Sequence, residues 1–251
     1  MPFIRYSDRP ISIDEGSREV RLPQETGVSL TTRDHEEAYK RVSMADLMTE
    51  TNYLNPDVEV IAEINTPESF ATFGEILNLG HGVVGTTHAE TPETLVNRVI
   101  EQGLPPYLLT EIDLVVFPRH VEGERYVGEA VELIGDPEDA RALDGVIEKD
   151  GYEIGWNRVF EREPDGGWEF AYDHPNLGDG ERALSHGVFD ALAERTDRPV
   201  EEVEEEFHRK HRYVRYMRQA ELTDLEELFG FLSDLRNDEA ATVERIAGER
   251  E

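Results

Sequence analysis

Three segments of this 251-residue chain carry side chains that could do chemistry together. The first segment, Gly80 to Glu90, contains two histidines, His81 and His88, around a glycine-rich and β-branched run. This run predicts a strand that leaves the end of a helix and delivers His88 to a loop, where an imidazole can contact a phosphate group. The alternative interpretation is a helix–strand junction whose histidines only satisfy local hydrogen bonds.

The second segment, Pro56 to Glu63, predicts a short apolar strand that ends in a carboxylate. Catalytic groups of parallel sheets lie at the carboxyl ends of the strands, so Glu63 is placed where a site would be. The alternative is that Glu63 is simply the first residue of a solvated loop. Glu59 lies on the same strand but short of its carboxyl end.

The third segment, Ile11 to Pro23, predicts a strand that ends in two adjacent acids, Asp14 and Glu15. Paired carboxylates suit a hard cation that keeps most of its own waters, such as Mg²⁺. Adjacent acids are weak evidence in a chain with 56 acidic residues, but the Arg-Glu and Leu-Pro pairs that follow in order strengthen the interpretation. Which of the two acids has which role stays open.

In order and spacing, these three segments resemble the aspartate box, the Walker B strand and the histidine box of the secretion ATPases. Those are the hexameric motors of type II and type IV secretion, pilus assembly and the archaeal flagellum. Glu63 precedes His81 by 18 residues and His88 by 25, with one predicted helix between them, as in that family. The chain departs from the family at Ala62, where glycine is usual, and in lacking an arginine soon after Glu63. The resemblance extends from about residue 3 to residue 237.

The resemblance implies roles for five residues. Glu63 would orient the attacking water, His88 would sense the γ-phosphate, and Asp14 and Glu15 would serve Mg²⁺. His81 would support the loop beside the nucleotide. The resemblance also implies ATP and Mg²⁺ as ligands, a homo-hexamer as the full-length assembly, and a polytopic membrane platform protein as the partner.

One motif of such enzymes is absent from the sequence. A P-loop, Gly-x-x-x-x-Gly-Lys-[Ser/Thr], surrounds the β-phosphate with backbone N–H groups and reaches the β- and γ-phosphates with its lysine. The three lysines here, Lys40, Lys149 and Lys210, do not lie in glycine-rich loops. We therefore expect the chain to be similar to the C-terminal half of such an ATPase, without its P-loop and its N-terminal domain.

Two functions remain open from the sequence. The chain is either the catalytic half of a secretion, pilus or archaellum motor whose P-loop lies on another polypeptide or a longer gene product, or a non-catalytic remnant. The remnant would act as an interaction module that keeps the fold but does not bind ATP tightly.

The composition is strongly acidic, with 56 Asp and Glu against 25 Lys and Arg and a net charge of −31. Concentrated salt screens such self-repulsion, because the Debye length at molar ionic strength is only about 3 Å. We interpret this composition as adaptation to a salt-filled, halophilic cytoplasm. Nucleic acid is not an expected partner, since binding its phosphate backbone requires clustered Lys and Arg.

The sequence also lacks two other classes of signal. It has no cysteine, which excludes a disulfide scaffold and a thiolate metal site. It contains no N-terminal apolar segment and no run of about 18 apolar residues, so we expect a cytoplasmic protein that reaches a membrane only through a partner.

Periodicity and turn signals predict an α/β fold. A truncated P-loop NTPase core, a mostly parallel sheet with flanking helices, is expected over residues 1–136, and a β-hairpin with a helical subdomain over 137–251. Helices are predicted after the Ser43 capping signal, around 70–77, from Thr91 to Gly103, and over 185–196, 199–220 and 223–237. Strands are predicted over 112–116 and 126–133, and a hairpin over 151–172. The last dozen residues are expected to be frayed.

Overall fold

A computed structural model of the chain describes residues 1–16, 18–135, 143–163, 166–170 and 187–248. The chain forms two compact units, one made of Met1–Thr87 with Lys210–Glu251 and the other of His88–Arg209. The predicted boundary between residues 136 and 137 lies outside the described residues, and that division stays a prediction.

A four-stranded parallel sheet forms the centre of the first unit. Its strands are β1 (Pro10–Asp14), β2 (Val28–Thr31), β3 (Val58–Ile61) and β4 (Gly82–Gly85), in the order β2-β1-β3-β4. The central strand β1 is fully buried, with Ile11 and Ile13 both at 0% exposure. The predicted α/β fold with a parallel sheet is confirmed.

Two helices connect these strands, and both begin where the sequence places a capping residue. Helix α1 (Met44–Thr51) starts after Ser43, whose hydroxyl accepts from the Asp46 N–H while the Asp46 carboxylate accepts from the Ser43 N–H. Helix α2 (Pro67–Leu77) starts with proline at its first turn, after an equivalent cap by Thr66. Each cap satisfies backbone N–H groups that have no partner within the helix.

The second unit contains an antiparallel sheet. Helix α3 (Pro92–Glu101) leads into β5 (Val115–Val121), β6 (Glu124–Ile134), β7 (Gly145–Lys149), β8 (Tyr152–Arg162) and β9 (Trp168–Phe170). The order is β5-β6-β8-β7, with β9 also paired to β8. The strands predicted over 112–116 and 126–133 are present, but β5 begins at Val115 rather than Ile112, because residues 106–111 form a 3₁₀ helix.

The pairing of β6 with β8 joins two predicted parts of the chain. The strands predicted over 112–116 and 126–133 lie in one antiparallel sheet with the described strands of the hairpin predicted over 151–172. Helix α4 (Gly187–Thr196) begins against it, where the buried Glu132 carboxylate accepts from the Val188 N–H at 3.2 Å. An acidic group at a helix N-terminus is favourable because it meets unpaired N–H groups and the positive end of the dipole.

Three further helices complete the described chain: α5 (Val200–Gln219), α6 (Leu225–Asn237) and α7 (Glu239–Gly248). The expectation that the last dozen residues are frayed is wrong for residues 240–248, which lie in α7, and residues 249–251 are outside the described residues. The Asp238 carboxylate accepts from the Ala241 N–H in its first turn, and Ile246 packs against the buried cluster of Met217, Phe231 and Leu235. No helix in the described part of the chain has the length and apolar character needed to cross a membrane.

Strand β4 lies at an edge of the parallel sheet. In the part of the chain that the structure describes, it pairs with β3 alone. Val84 keeps 46% of its surface exposed, and residues 82–87 carry no charge. This edge is therefore apolar and open on its outer side.

Candidate active site

The carboxyl edge of the parallel sheet brings two of the predicted acids into register. β1 and β3 pair with a constant offset, from Pro10 opposite Val58 to Ile13 opposite Ile61, and the Ala62 N–H continues the ladder to the Ile13 carbonyl at 2.9 Å. Glu15 follows the end of β1 directly, and Glu63 lies two residues beyond the end of β3, so both stand at the carboxyl edge of the sheet. Glu15 is exposed and Glu63 is half-buried, so both side chains meet solvent at this edge.

Hydrogen bonds between two loops hold Glu63 in place. The Ile64 N–H donates to the Thr86 carbonyl at 2.8 Å, and the Thr87 hydroxyl donates to the Ile64 carbonyl at 2.8 Å. The Thr86 hydroxyl also donates to the Ala62 carbonyl. The segment after β4 thus fixes the backbone on both sides of Glu63, as a positioned catalytic group requires.

Close packing under this loop depends on Gly85. A Cβ atom at Gly85 would lie 2.8 Å from the Cδ1 of Ile64, whose side chain is only 4% exposed. We expect Gly85→Ala to lower the free energy of unfolding by about 1–3 kcal/mol, because Ile64 and the loop that carries Glu63 must shift. Urea unfolding followed by circular dichroism in molar KCl measures this.

The control is Gly82→Ala on the same strand. The nearest atom to its added Cβ would be Val58 Cγ2 at 3.4 Å, an ordinary van der Waals contact. We expect a change of less than about 0.5 kcal/mol there. Equal unfolding midpoints for the two variants would show that Gly85 does not constrain the loop.

Asp14 occupies a different environment from Glu15. Its side chain is at 0% exposure, and its Oδ1 accepts from the backbone N–H groups of Glu19 and Val20 at 3.0 and 3.1 Å. Its Oδ2 is buried and has no hydrogen-bond partner in the described part of the chain. Asp14 therefore anchors the segment after β1, while Glu15 is the acid that solvent reaches.

His88 lies in the segment between β4 and α3, and its side chain is exposed. It is the first residue of the second compact unit, whereas Asp14, Glu15 and Glu63 belong to the first. Its contact with a phosphate stays a prediction.

His81 lies at the amino end of the parallel strands, away from the carboxyl edge that carries Glu15 and Glu63. It immediately precedes β4, about 13 Å from the carboxyl end of that strand at the usual rise per residue. There its Nε2 is 2.9 Å from Glu59 Oε1. The structure thus places Glu15 and Glu63 at the carboxyl ends of the strands. It places His81, in contact with Glu59, at the amino end of β4.

The Glu59–His81 pair is the feature that sequence reasoning missed. The Glu59 side chain is at 0% exposure and that of His81 at 14%. Burial raises the pKa of Glu59, while contacts with Thr51 and His81 act in the opposite direction. The available signal was a glutamate between the valines of Val58-Glu59-Val60, inside a strand whose two faces are both buried.

Among the described residues, no group of three or more His, Asp or Glu side chains could hold a metal ion. Mg²⁺ usually takes one or two protein carboxylates and completes its shell with waters and substrate phosphates. Glu15 and Glu63 are carboxylates of this chemical type that solvent reaches at the carboxyl edge.

Comparison with known proteins gives distant relatives. No family model matches the chain. It is 24% identical over 168 residues to the uncharacterized protein MJ0900 of Methanocaldococcus jannaschii, covering 66% of this chain and 29% of that protein. It is 26% identical over 166 residues to the uncharacterized protein MJ1287 of the same organism, covering 62% and 57%. The chain thus spans less than two thirds of either relative.

Similar solved structures include bacterial motor ATPases. The alignment with the VirB11 ATPase of the Brucella suis type IV secretion system covers 51% of this chain and 40% of the VirB11 chain, at a TM-score of 0.42 and 24% identity. The Legionella pneumophila ATPase DotB aligns over 53% and 38%, at a TM-score of 0.39 and 18% identity. The pilus retraction motor PilT with bound ADP aligns over 49% and 37%, at a TM-score of 0.39 and 22% identity.

Proposed function

We propose that this chain is the catalytic half of a type II or type IV secretion ATPase, a motor that couples ATP hydrolysis to protein export or to pilus or archaellum assembly. The observation that supports the proposal is that Glu15 and Glu63 each lie just beyond a strand of a parallel sheet, at its carboxyl edge. This edge is where α/β folds bind and turn over nucleotides. The nucleotide anchor, a P-loop, would come from another polypeptide or from a longer product of the same gene.

Each residue of this edge has a role in the proposal. Glu63 orients the attacking water and accepts its proton as the phosphate transfers, because its carboxylate is half-buried and its backbone is fixed on both sides. Glu15 supplies a second carboxylate, and Asp14 holds the backbone just beyond it. Glu15 and Glu63 would hold Mg²⁺, which would supply positive charge to offset the charge that develops on the phosphate. His88 contacts the γ-phosphate.

The proposed assembly follows from the family resemblance. The complete enzyme would be a homo-hexamer in the cytoplasm, attached to the membrane through a polytopic platform protein. Export, pilus assembly and archaellum assembly share this catalytic chemistry, so the site residues do not select among them.

The isolated chain should not bind ATP at micromolar concentrations. Without a P-loop, the phosphates lose the backbone N–H cradle and the lysine that supply the main attraction. Isothermal titration calorimetry with MgATP in molar KCl measures the affinity. A micromolar dissociation constant would contradict the proposed division of the site.

The test of function is reconstitution. We would purify the chain together with a polypeptide that carries a Gly-rich Lys-Ser/Thr loop and is encoded immediately upstream, in frame or in an adjacent frame. ATP hydrolysis that requires both parts supports the catalytic function. A P-loop polypeptide that hydrolyses ATP equally well alone would instead support the second candidate.

The second candidate is a non-catalytic interaction module. The absence of a P-loop motif from the sequence and the full enclosure of Asp14 favour it. Such a module would keep the fold and the packing faces of the C-terminal helices. Its addition would leave the rate of ATP hydrolysis by a P-loop polypeptide unchanged.

A further inference from the structure

A groove with an apolar floor lies between α6 and the short segment that precedes Gln24, both in the first compact unit. Four half-buried side chains line it, two from each wall: Leu22, Pro23, Leu225 and Phe229. The volume of the cavity is about 490 Å³, which is within the range of binding pockets. Covering this apolar surface would remove it from water, so the groove favours a binding partner.

Both walls of the groove are fastened to the same N-terminal segment, residues 1–4. The amide of Gln24, a residue only 4% exposed, donates to the Ile4 carbonyl at 2.9 Å. From the other wall, the Arg236 guanidinium of α6 donates to the Phe3 carbonyl at 2.6 Å. The groove is therefore formed before any partner arrives, which lowers the entropy cost of binding.

Gly230 lies in the interior of α6 and lines this groove. A glycine inside a helix is less stable there than alanine, because it loses more conformational freedom on folding. Apart from its chain neighbours and its own helix backbone, no atom of the described residues lies within 4 Å of the position that its Cβ would take. Packing within the described chain therefore does not require glycine here. Close approach of another backbone would require it.

Two charged side chains of opposite sign stand at the rim of the groove. Arg21 lies on one wall and Glu226 on the other, and both are exposed. Within the part of the chain that the structure describes, neither side chain forms an ion pair. A segment that fits this rim carries a base opposite Glu226 and an acid opposite Arg21.

We propose that this groove binds an amphipathic helix of a partner protein, whose apolar stripe enters the groove and whose backbone approaches α6 at Gly230. A Lys or Arg on one flank of that helix meets Glu226, and an Asp or Glu on the other flank meets Arg21. In such a contact the apolar anchors supply affinity, and the flanking charges set the orientation.

A second copy of this chain fits the groove less well. The exposed face of α6 beside Gly230 carries Glu226 and Glu227, so a two-fold contact through this face would bring like charges together. The proposal involves no nucleotide, so it can stand or fail independently of the proposed ATPase function.

Heteronuclear NMR on the isolated chain in molar KCl locates the binding. The probe is a synthetic helix of about 18 residues, five turns, with a leucine stripe, lysines along one flank and glutamates along the other. Molar salt limits charge interactions to about 3 Å, so it suppresses non-specific attraction to the acidic chain. We expect the amide shifts of Leu22, Phe229 and Gly230 to change and to saturate below about 1 mM peptide. A peptide of the same composition in scrambled order, without the stripe, should not change them.

Gly230→Ala separates a binding role from a structural one. In the free chain the added methyl group meets open space and improves the helix, so Tm should rise by about 2–4 °C. In the complex the same methyl group meets the backbone of the peptide, so the dissociation constant should increase about tenfold. Asn237→Ala is the control, at an exposed position of α6 about 10 Å farther along the helix, and should leave the dissociation constant unchanged.

Charge variants test the rim in the same buffer. Arg21→Glu and Glu226→Lys each leave two like charges there, so each should weaken binding about two- to threefold, as for the loss of one exposed ion pair. The double variant again carries one charge of each sign and has the net charge of the wild type. It should recover most of the affinity, with the peptide bound in the reverse direction. Glu244→Lys, an exposed acid of α7 outside the groove, is the matched control.

Each outcome supports or overturns the proposal. Peptide binding that leaves the groove amides unshifted, or no binding at all, would overturn it. A dissociation constant unchanged in Gly230→Ala would show that no backbone approaches at this glycine. Rim variants that act no differently from Glu244→Lys would show that Arg21 and Glu226 do not select the partner. A dimer in sedimentation equilibrium that Gly230→Ala dissociates would place a second copy in the groove instead.

Discussion

Glu63→Gln is expected to lower kcat for ATP hydrolysis by about 10²- to 10⁴-fold in a complete ATPase that contains this chain, while ATP still binds. Glutamine keeps the size and hydrogen-bonding shape of the side chain but does not accept the proton of the attacking water. The effect belongs to the transition state, so KM and nucleotide affinity should change little. Steady-state hydrolysis with a parallel binding measurement separates the two quantities.

The matched control is Glu59→Gln on the same strand. Glu59 is fully buried near the amino end of β3 and bonded to His81, away from the edge where Glu63 lies. The substitution should therefore leave kcat unchanged. If both variants lose turnover equally, or if Glu63→Gln keeps it, the Walker B interpretation of β3 is wrong.

His81→Ala is expected to destabilise the folded chain by about 2–4 kcal/mol near neutral pH. It leaves the Glu59 carboxylate buried without the Nε2 atom that it contacts, and a buried carboxylate left without its partner costs several kcal/mol. The expected loss is not larger because the His81 side chain is still 14% exposed, so water can partly replace it. Urea unfolding in molar KCl measures the loss.

A second substitution shows whether the loss of stability comes from the unpaired Glu59 carboxylate or from lost packing of the His81 ring. Glu59→Gln with His81→Ala should recover most of the lost stability, because an amide is far less costly to bury than a carboxylate. A double variant no more stable than His81→Ala alone would show that the charge of Glu59 is not the cause.

The pH dependence follows from the raised pKa of Glu59. A carboxyl group whose pKa is higher in the folded state than its ordinary value of 4.5 contributes stability that is fully present below that value. This contribution is lost as the pH rises through the folded-state pKa. The cost of His81→Ala should therefore be smallest in acid and should grow above the ordinary pKa, and Glu59→Gln should flatten the curve.

Local features of the fold could be predicted from the sequence. Ser43 predicts the start of α1, and Thr91 with the following Pro92 predicts the start of α3. These starts are predictable because capping depends on residues within one helical turn. The position of Glu63 just beyond β3 is also a local property. The start of α7 also depends on a nearby cap, Asp238. The helix was not predicted because its sequence is rich in acidic residues and alanine, and the packing of Ile246 against the α5–α6 cluster is a non-local contact.

The site itself depends on non-local pairing. That Glu15 and Glu63 follow neighbouring strands depends on the β1–β3 register, and that His81 meets Glu59 depends on the β3–β4 register. Neither register can be obtained from the spacing of residues along the chain, since strand order is set by the packing of the whole sheet. The enclosure of Asp14 was equally hidden, because it comes from backbone N–H groups rather than from any side chain.

The uncharged edge of β4 gives the acidic composition a second consequence, for colloidal stability. An apolar strand edge that carries no lysine or proline is a template on which another copy can add a strand. Long-range repulsion between molecules of net charge −31 keeps such edges apart at low ionic strength. In molar salt that repulsion acts over only about 3 Å, so the ions that screen the charges within each molecule also let residues 82–85 of two molecules approach each other.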